Sequence, residues 1–349
     1  LNTNYKILLA TILVIIVALE LALRCMGVAD TFAEKSGLPD NSLFDQQISN
    51  PYRLIRFNEN YTNQTGDFSY KHFIGSHGFI GESPGSKVSR YRIVVFGDSF
   101  TEGVGAFSPD SSFPALLQNV LNVNSDTGKY EVLNFGNAGS DVVFEAKYLT
   151  DSTLRFHPDV VIMTFNNTDI SDIIQWGGTE RFLADGIARS KSAPWFKWLY
   201  DSSRIARLII ANALKYDSEL LLTKQQLEIA TAEARNVVVE TATRANDFCK
   251  VHQIKFMFLL LPFYSDLANP AVSNDSKIYF NRLQQTISNQ GVHCVNLYQP
   301  MSEVIKPNNF EQYSWWIHDG HYKNKGYELI ARIVADSLQL PQPTTTSGN

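Results

Sequence analysis

The chain has 349 residues, 44% of them hydrophobic and 19% charged, the composition of a globular protein with a sizeable core; its length suits two domains or one large α/β domain with additions. Thirty Lys and Arg against thirty-five Asp and Glu leave a net charge of −5 with no basic stripe, which argues against nucleic acid as a partner. Three widely spaced cysteines (Cys25, Cys249, Cys294) without CxxC spacing argue against a disulfide framework and a zinc site, and no GxGxxG or GxxxxGK(S/T) motif points to a nucleotide.

The first element in chain order is apolar. Residues 7–23 read ILLATILVIIVALELAL, interrupted by one charge at Glu20. As a helix this run reaches about 25 Å, the short limit for a membrane span. A signal anchor that stays (1–27) competes with a cleaved signal peptide and with a buried core helix. No small-residue cleavage site follows, since the next residues are Arg24-Cys25-Met26-Gly27, and this favours the anchor. Lys6 before the run and Arg24 after it hardly bias orientation. The bulk of the chain is expected outside the cytoplasm, in the periplasm or at the cell surface.

Residues 28–90 are polar, with clusters such as GLPDNS and GESPGSK, and are expected to be a stalk with a few irregular strands. A regular alternation then begins. Strands are expected at 91–96 (YRIVVF), 130–135 (YEVLNF), 159–165 (DVVIMTF), 254–262 (IKFMFLLLP) and 292–297. Helices are expected at 112–122, 142–156, 225–251, 276–289 and 325–338, and the tail 341–349 (PQPTTTSGN) as disordered. Apolar strands alternating with helices indicate an α/β fold whose parallel sheet is covered on both faces. Its ligand site should lie beyond the carboxyl ends of the strands, just after Phe96, Phe135 and Phe165.

An insertion at 176–223 separates the third strand from the long helix. Trp195, Trp198, Leu199, Ile205 and Ile209 fall there at helical spacing. They predict a helix packing on the core; a lid or acceptor-binding cap and membrane contact are the other readings.

Two segments carry chemistry. The first strand ends in Gly97-Asp98-Ser99, where a small residue lets the chain turn sharply. A serine in such a turn presents its hydroxyl and its own N–H to the same space, as a nucleophile that also supplies an oxyanion donor would. The bland alternative is that Ser99 only caps a helix. Far along the chain, His318-Asp319-Gly320-His321 precedes the last helix. Serine needs a base, imidazole titrates near neutrality, and a carboxylate on the other ring nitrogen fixes the tautomer. Asp319, two residues from His321, can make that contact locally.

GDSFTEG (97–103), Asn134-Phe135-Gly136-Asn137-Ala138-Gly139 and DGHYKNKG (319–326) together resemble the SGNH (GDSL-type) hydrolases over residues 75–338. Ser76-His77-Gly78-Phe79 resembles the branch with an amino-terminal membrane anchor. The resemblance implies a flavodoxin-like three-layer α/β/α sandwich with a parallel sheet of about five strands. It implies acyl cleavage or transfer on esters, carbohydrates or lipids, without metal or organic cofactor. Ser99 would be the nucleophile, His321 the base and Asp319 its orienter; Ser99 and Gly139 would supply oxyanion N–H groups.

Two departures from the family pattern stand out. The usual G-x-N-D is here Asn166-Asn167-Thr168-Asp169, so Thr168 falls at the asparagine position, and Asn167 serves as third oxyanion donor only after a one-residue shift. The usual D-x-x-H is D-x-H, with His318 at the ordinary aspartate position. The leading expectation is a serine esterase. An O-acyltransferase on cell-envelope or exported polysaccharide uses the same residues, with a glycan hydroxyl in place of water. A non-catalytic subunit that keeps the fold to bind glycan or a partner is the third reading. Sequons at Asn60 and Asn63 matter only where the source glycosylates them.

Overall fold

The computed structural model describes residues 2–31, 34, 43–48, 59–64, 67–75, 78, 80, 81, 91–123, 129–268, 273–315, 320–338 and 340. Asp319, His318, Ser76, His77, Phe79 and the tail 341–349 lie outside the described residues. The chain divides into two compact units: Leu1–Gln47 with Arg189–Glu233, and Ile48–Ala188 with Ala234–Asn349.

The larger unit is built on five parallel strands: β1 (Tyr91–Gly97), β2 (Tyr130–Gly136), β3 (Val160–Phe165), β4 (Lys255–Leu260) and β5 (Cys294–Asn296). Their order is β2-β1-β3-β4-β5. The chain therefore starts in the interior of the sheet, moves one strand outward and then winds back past β1. That doubly wound order puts the topological switch point between β1 and β3, where such folds hold their ligands. The β-branched and aromatic content of the strands explains their central place. All six residues of β3 are buried, as are Arg92 to Gly97 of β1, which requires cover on both faces.

The cover is helical. The helix Phe113–Asn122 packs against the last helix, Asn324–Ser337. The helix Val142–Ser152 flanks a cleft that it shares with Thr241, Arg244 and Ala245 of the long helix Lys224–Val251. The expected helix at 142–156 changes to a 3-10 turn at Thr153–Phe156, and the other expected helices and strands shift at their ends by one to three residues. Ahead of the sheet, Glu59–Gln64 and Ser69–Ile74 form an antiparallel pair.

The smaller unit holds the helix Thr3–Cys25, which has Leu23 as its one buried residue and is long and apolar enough to cross a bilayer; a signal sequence has the same properties. It also has a small core of Phe44, Tyr200, Ala206, Ile210 and Leu221. The single core-packed helix expected around Trp195 and Trp198 does not form. Ser203 is extended and caps a second helix, its hydroxyl accepting from the Ala206 N–H. The periodicity is thereby broken into Lys197–Ser202 and Arg204–Leu208. Tyr200, Ala206 and Ile210 turn inward, whereas Trp195 is 83% and Trp198 66% exposed.

Candidate active site

Gly97 ends β1 against neighbouring side chains. A Cβ there would lie 2.0 Å from Thr101 Oγ1 and 2.1 Å from Thr164 Oγ1, so only glycine lets the chain turn this tightly. Asp98 then caps the short helix Ser99–Glu102, its carboxylate accepting from the Phe100 N–H at 3.0 Å. Ser99, half-buried, follows at the mouth of the sheet.

The structure brings His321 to it across 222 positions: Nε2 lies 2.7 Å from Ser99 Oγ. The imidazole packs on the Phe100 ring (centroids 4.6 Å apart) with the Phe68 ring edge-on at 6.5 Å. The histidine loop is tied to the loop after Ser99 at several points. Trp315 Nε1–H donates to the Gly105 carbonyl at 2.9 Å and the Tyr327 hydroxyl to the Val104 carbonyl at 2.6 Å. The Phe107 N–H donates to Asn324 Oδ1 at 2.9 Å. Gly320 precedes the histidine with φ +94°, and a Cβ there would sit 2.6 Å from Phe263 and Tyr264. The geometry of the pair is thus set by the backbone around it rather than by the two side chains alone.

The turn carrying Gly139 is fastened to the same place. The Asn137 N–H donates to the Gly97 carbonyl at 2.8 Å, and the Ala138 N–H to the buried Glu102 carboxylate at 2.7 Å. The Ser140 hydroxyl reaches the Gly97 carbonyl at 3.3 Å. The N–H groups of Ser99 and Gly139 donate to no acceptor among the described residues.

The turn after β3 is organised differently. The Asn166 amide donates to Asp98 Oδ2 at 2.7 Å. The Thr168 hydroxyl donates to Asn166 Oδ1 at 2.6 Å and approaches Asp98 Oδ2 at 3.4 Å. The Asn167 amide donates to both oxygens of Asp266, at 3.0 and 3.2 Å. Asp169 closes the turn by accepting from the Asn166 and Val142 N–H groups at 2.8 and 2.9 Å.

Beneath these turns lies a group of buried acids. Asp141 caps the helix Val142–Ser152 and pairs with Arg181 at 2.7 Å, both side chains being wholly inaccessible. Glu145 accepts from the Ser140 hydroxyl at 3.1 Å. Burial, then the charges of Asp98 and Asp141, push the Glu145 carboxyl well above its ordinary range. Burial, then Glu145 and Asp98, do the same to Asp169. Burial also raises Asp98, against the pull of the Asn166 amide, the Phe100 N–H and the His321 ring. Among the described residues no group of three or more His, Cys, Asp or Glu is arranged to hold a metal.

Sequence reasoning singled out neither Asp98, Glu102 nor Asp266 as a positioning residue. Their signal is an acid in a turn or short helix that the fold buries, and burial becomes visible only once the strands are assembled.

A doubly wound α/β unit with a serine–imidazole pair at its switch point has the layout of a serine hydrolase. The model of the GDSL-like lipase/acylhydrolase family matches residues 95–329. Similar solved structures include LAE5, an alpha/beta hydrolase enzyme from the metagenome of Lake Arreo, Spain (16% identity, TM-score 0.44, covering 72% of this chain and 97% of that one). The lipase/acylhydrolase from Enterococcus faecalis is another (17%, TM-score 0.41, 72% and 99%). A third is the acetyl xylan esterase AlAXEase (13%, TM-score 0.43, 71% and 99%). No curated protein matches the chain. The chain belongs to the GDSL-like lipase/acylhydrolase family, a family of ester-bond hydrolases.

Proposed function

We propose that the protein is a membrane-anchored serine esterase of the SGNH type that removes an O-acyl group from a carbohydrate or lipid. The 2.7 Å contact between His321 Nε2 and Ser99 Oγ carries this reading. Ser99 Oγ attacks the ester carbonyl while His321 takes its proton. The resulting oxyanion faces the N–H groups of Ser99 and Gly139, which lack acceptors among the described residues. Collapse expels the alcohol, which leaves with the proton held by His321. Water then gives a proton to His321 and attacks the acyl-enzyme, releasing the acid and restoring Ser99. Asp319 is assigned to orient the imidazole. Asn167, expected as third donor, is committed to Asp266 in this conformation, so the two backbone N–H groups are assigned the hole.

The test is turnover of a short-chain aryl acetate by the full chain and by Ser99→Ala. The variant is expected to fold and to lose turnover and fluorophosphonate labelling; unchanged activity in a folded variant overturns the mechanism. Acetate released in step with the aryl alcohol identifies hydrolysis, and a deficit recovered on added oligosaccharide identifies transfer. The helix Thr3–Cys25 is assigned as the anchor, with the hydrolase unit outside the cytoplasm. A carboxy-terminal tag that protease cannot reach in spheroplasts would overturn that orientation.

A further inference from the structure

We propose that the segment around Trp195–Leu214 is a membrane-interface foot, seated at the headgroup–acyl boundary beside the end of the helix Thr3–Cys25; this rests on reading that helix as an anchor. The argument starts from Glu20, an acid that breaks an otherwise apolar run. It does not face lipid unpartnered. Its carboxylate accepts from the Arg204 N–H at 2.9 Å, the Ile205 N–H at 3.1 Å and the Ser203 hydroxyl at 2.9 Å. One helical turn on, Arg24 pairs with Glu20 at 2.8 Å and donates to the Ser202 carbonyl at 2.6 Å. Just beyond the helix, Arg204 pairs with Asp30 and Glu34, and Arg207 with Glu34. Burial alone would raise the Glu34 carboxyl, but the Arg207 guanidinium, the Thr31 N–H and the Arg204 guanidinium bring it down to about 2, so these pairs stay charged.

Residues 202–205 are therefore bonded directly to the polar end of the helix, and their depth follows from it. Lys6 and Arg24, the charges that bound the apolar run, lie about 27 Å apart along the helix axis, close to the thickness of a hydrocarbon core. The hydrogen-bonded segment must then sit where the core meets the headgroups. The residues exposed around it are those an interface selects. Trp198 is four residues before Ser202 on one short helix, about 6 Å along its axis. Trp195 precedes it, and Ile209 and Leu214 follow the helix Arg204–Leu208. Trp195 is 83%, Trp198 66%, Leu214 57% and Ile209 50% exposed. Indole rings prefer the headgroup level, where the apolar ring is covered and the N–H stays hydrated. In water these four side chains would be left as exposed apolar groups; against a bilayer they would be covered together with the exposed apolar side chains of the helix.

The experiment uses the full chain in phosphatidylcholine nanodiscs, with and without lipid brominated on its acyl chains. Bromine should quench tryptophan emission of the unmodified protein. The variant W195F/W198F should lose at least half of that quenching, while W315F should keep it. Because both tryptophans are exposed, these changes leave the fold intact. Equal quenching in the unmodified protein and W195F/W198F overturns the proposal, as does a second copy of the chain per disc shielding these residues from bromine. Failure of the chain to float with the discs removes the anchor and this inference with it. Flotation with unchanged quenching removes the inference alone.

Discussion

Two turns at the carboxyl ends of adjacent strands, β1 and β3, are built from similar residues and are used in opposite ways. After β1, the capping carboxylate of Asp98 ties down the turn and leaves the Ser99 hydroxyl to the imidazole of His321. After β3, Asn166 and Thr168 lean on Asp98, and Asn167 on Asp266. One turn leaves its hydroxyl to an imidazole and the other spends its amides on holding carboxylates. Position at the switch point therefore marks where chemistry can occur, and the hydrogen-bond ledger of each side chain decides whether it takes part.

The largest effect should come from breaking the first turn's partnership. His321→Ala is expected to lower kcat on an aryl acetate by about 10⁴–10⁶, since a serine without its base keeps only the contribution of binding and oxyanion donors. Steady-state kinetics on the folded variant measures it, and a loss below tenfold would mean that the contact with Ser99 is structural. The next effect tests the acids beneath both turns. Arg181→Met should destabilise the protein by about 3 kcal/mol, because Asp141 would then keep its burial without its cation. The two N–H groups that Asp141 caps remain, which holds the loss at the lower end for a broken buried pair. Denaturant midpoints report it.

Much of this arrangement can be read from the chain before folding. The runs YRIVVF and DVVIMTF are too apolar for anything but covered strands, and the serine and histidine segments announce themselves by small residues beside a polar pair. The parts that escape are those whose meaning is created by convergence. Asp98 acquires its role from Asn166, 68 positions away, and Asp266 from Asn167, 99 positions away. Glu20 looks like a flaw in an apolar helix until the Arg204 and Ile205 N–H groups meet it. The tryptophans of the insertion mislead for a related reason: helical spacing fixes which residues share a face only while the helix continues, and Ser203 ends it.

The second turn is tested by Asn167→Ala. Were this amide an oxyanion donor, kcat would fall by about 10²–10³. Since it is engaged by Asp266, a fall of less than tenfold is expected, accompanied by a lower melting temperature as Asp266 loses one of its donors. Asp266 retains the Ser276 hydroxyl and the Phe263 N–H, so the site should survive. A hundredfold fall with unchanged stability would show that the amide swings away from Asp266 during turnover and would blur the contrast between the turns.

The smallest effect concerns the acid most out of place. Glu145 is buried beside Asp98 and Asp141, and its folded-state carboxyl titrates well above the ordinary value of 4.5. In the unfolded chain it ionises near that ordinary value. Below about pH 4 the group is protonated in both states and costs nothing. As pH rises past the unfolded value, the unfolded state gains from releasing a proton that the native state must keep, so stability falls through the window up to the raised folded value. Glu145→Gln carries no such proton. It should raise the melting temperature near pH 7 by about 2–4 °C, a stabilisation of about 1 kcal/mol for a unit of this size. The gain should vanish toward pH 4. The opposite slope, a variant that loses ground as pH rises, would mean that Glu145 is ionised in the native protein, and the acids beneath the two turns would then have to hold more negative charge than Arg181 alone can balance.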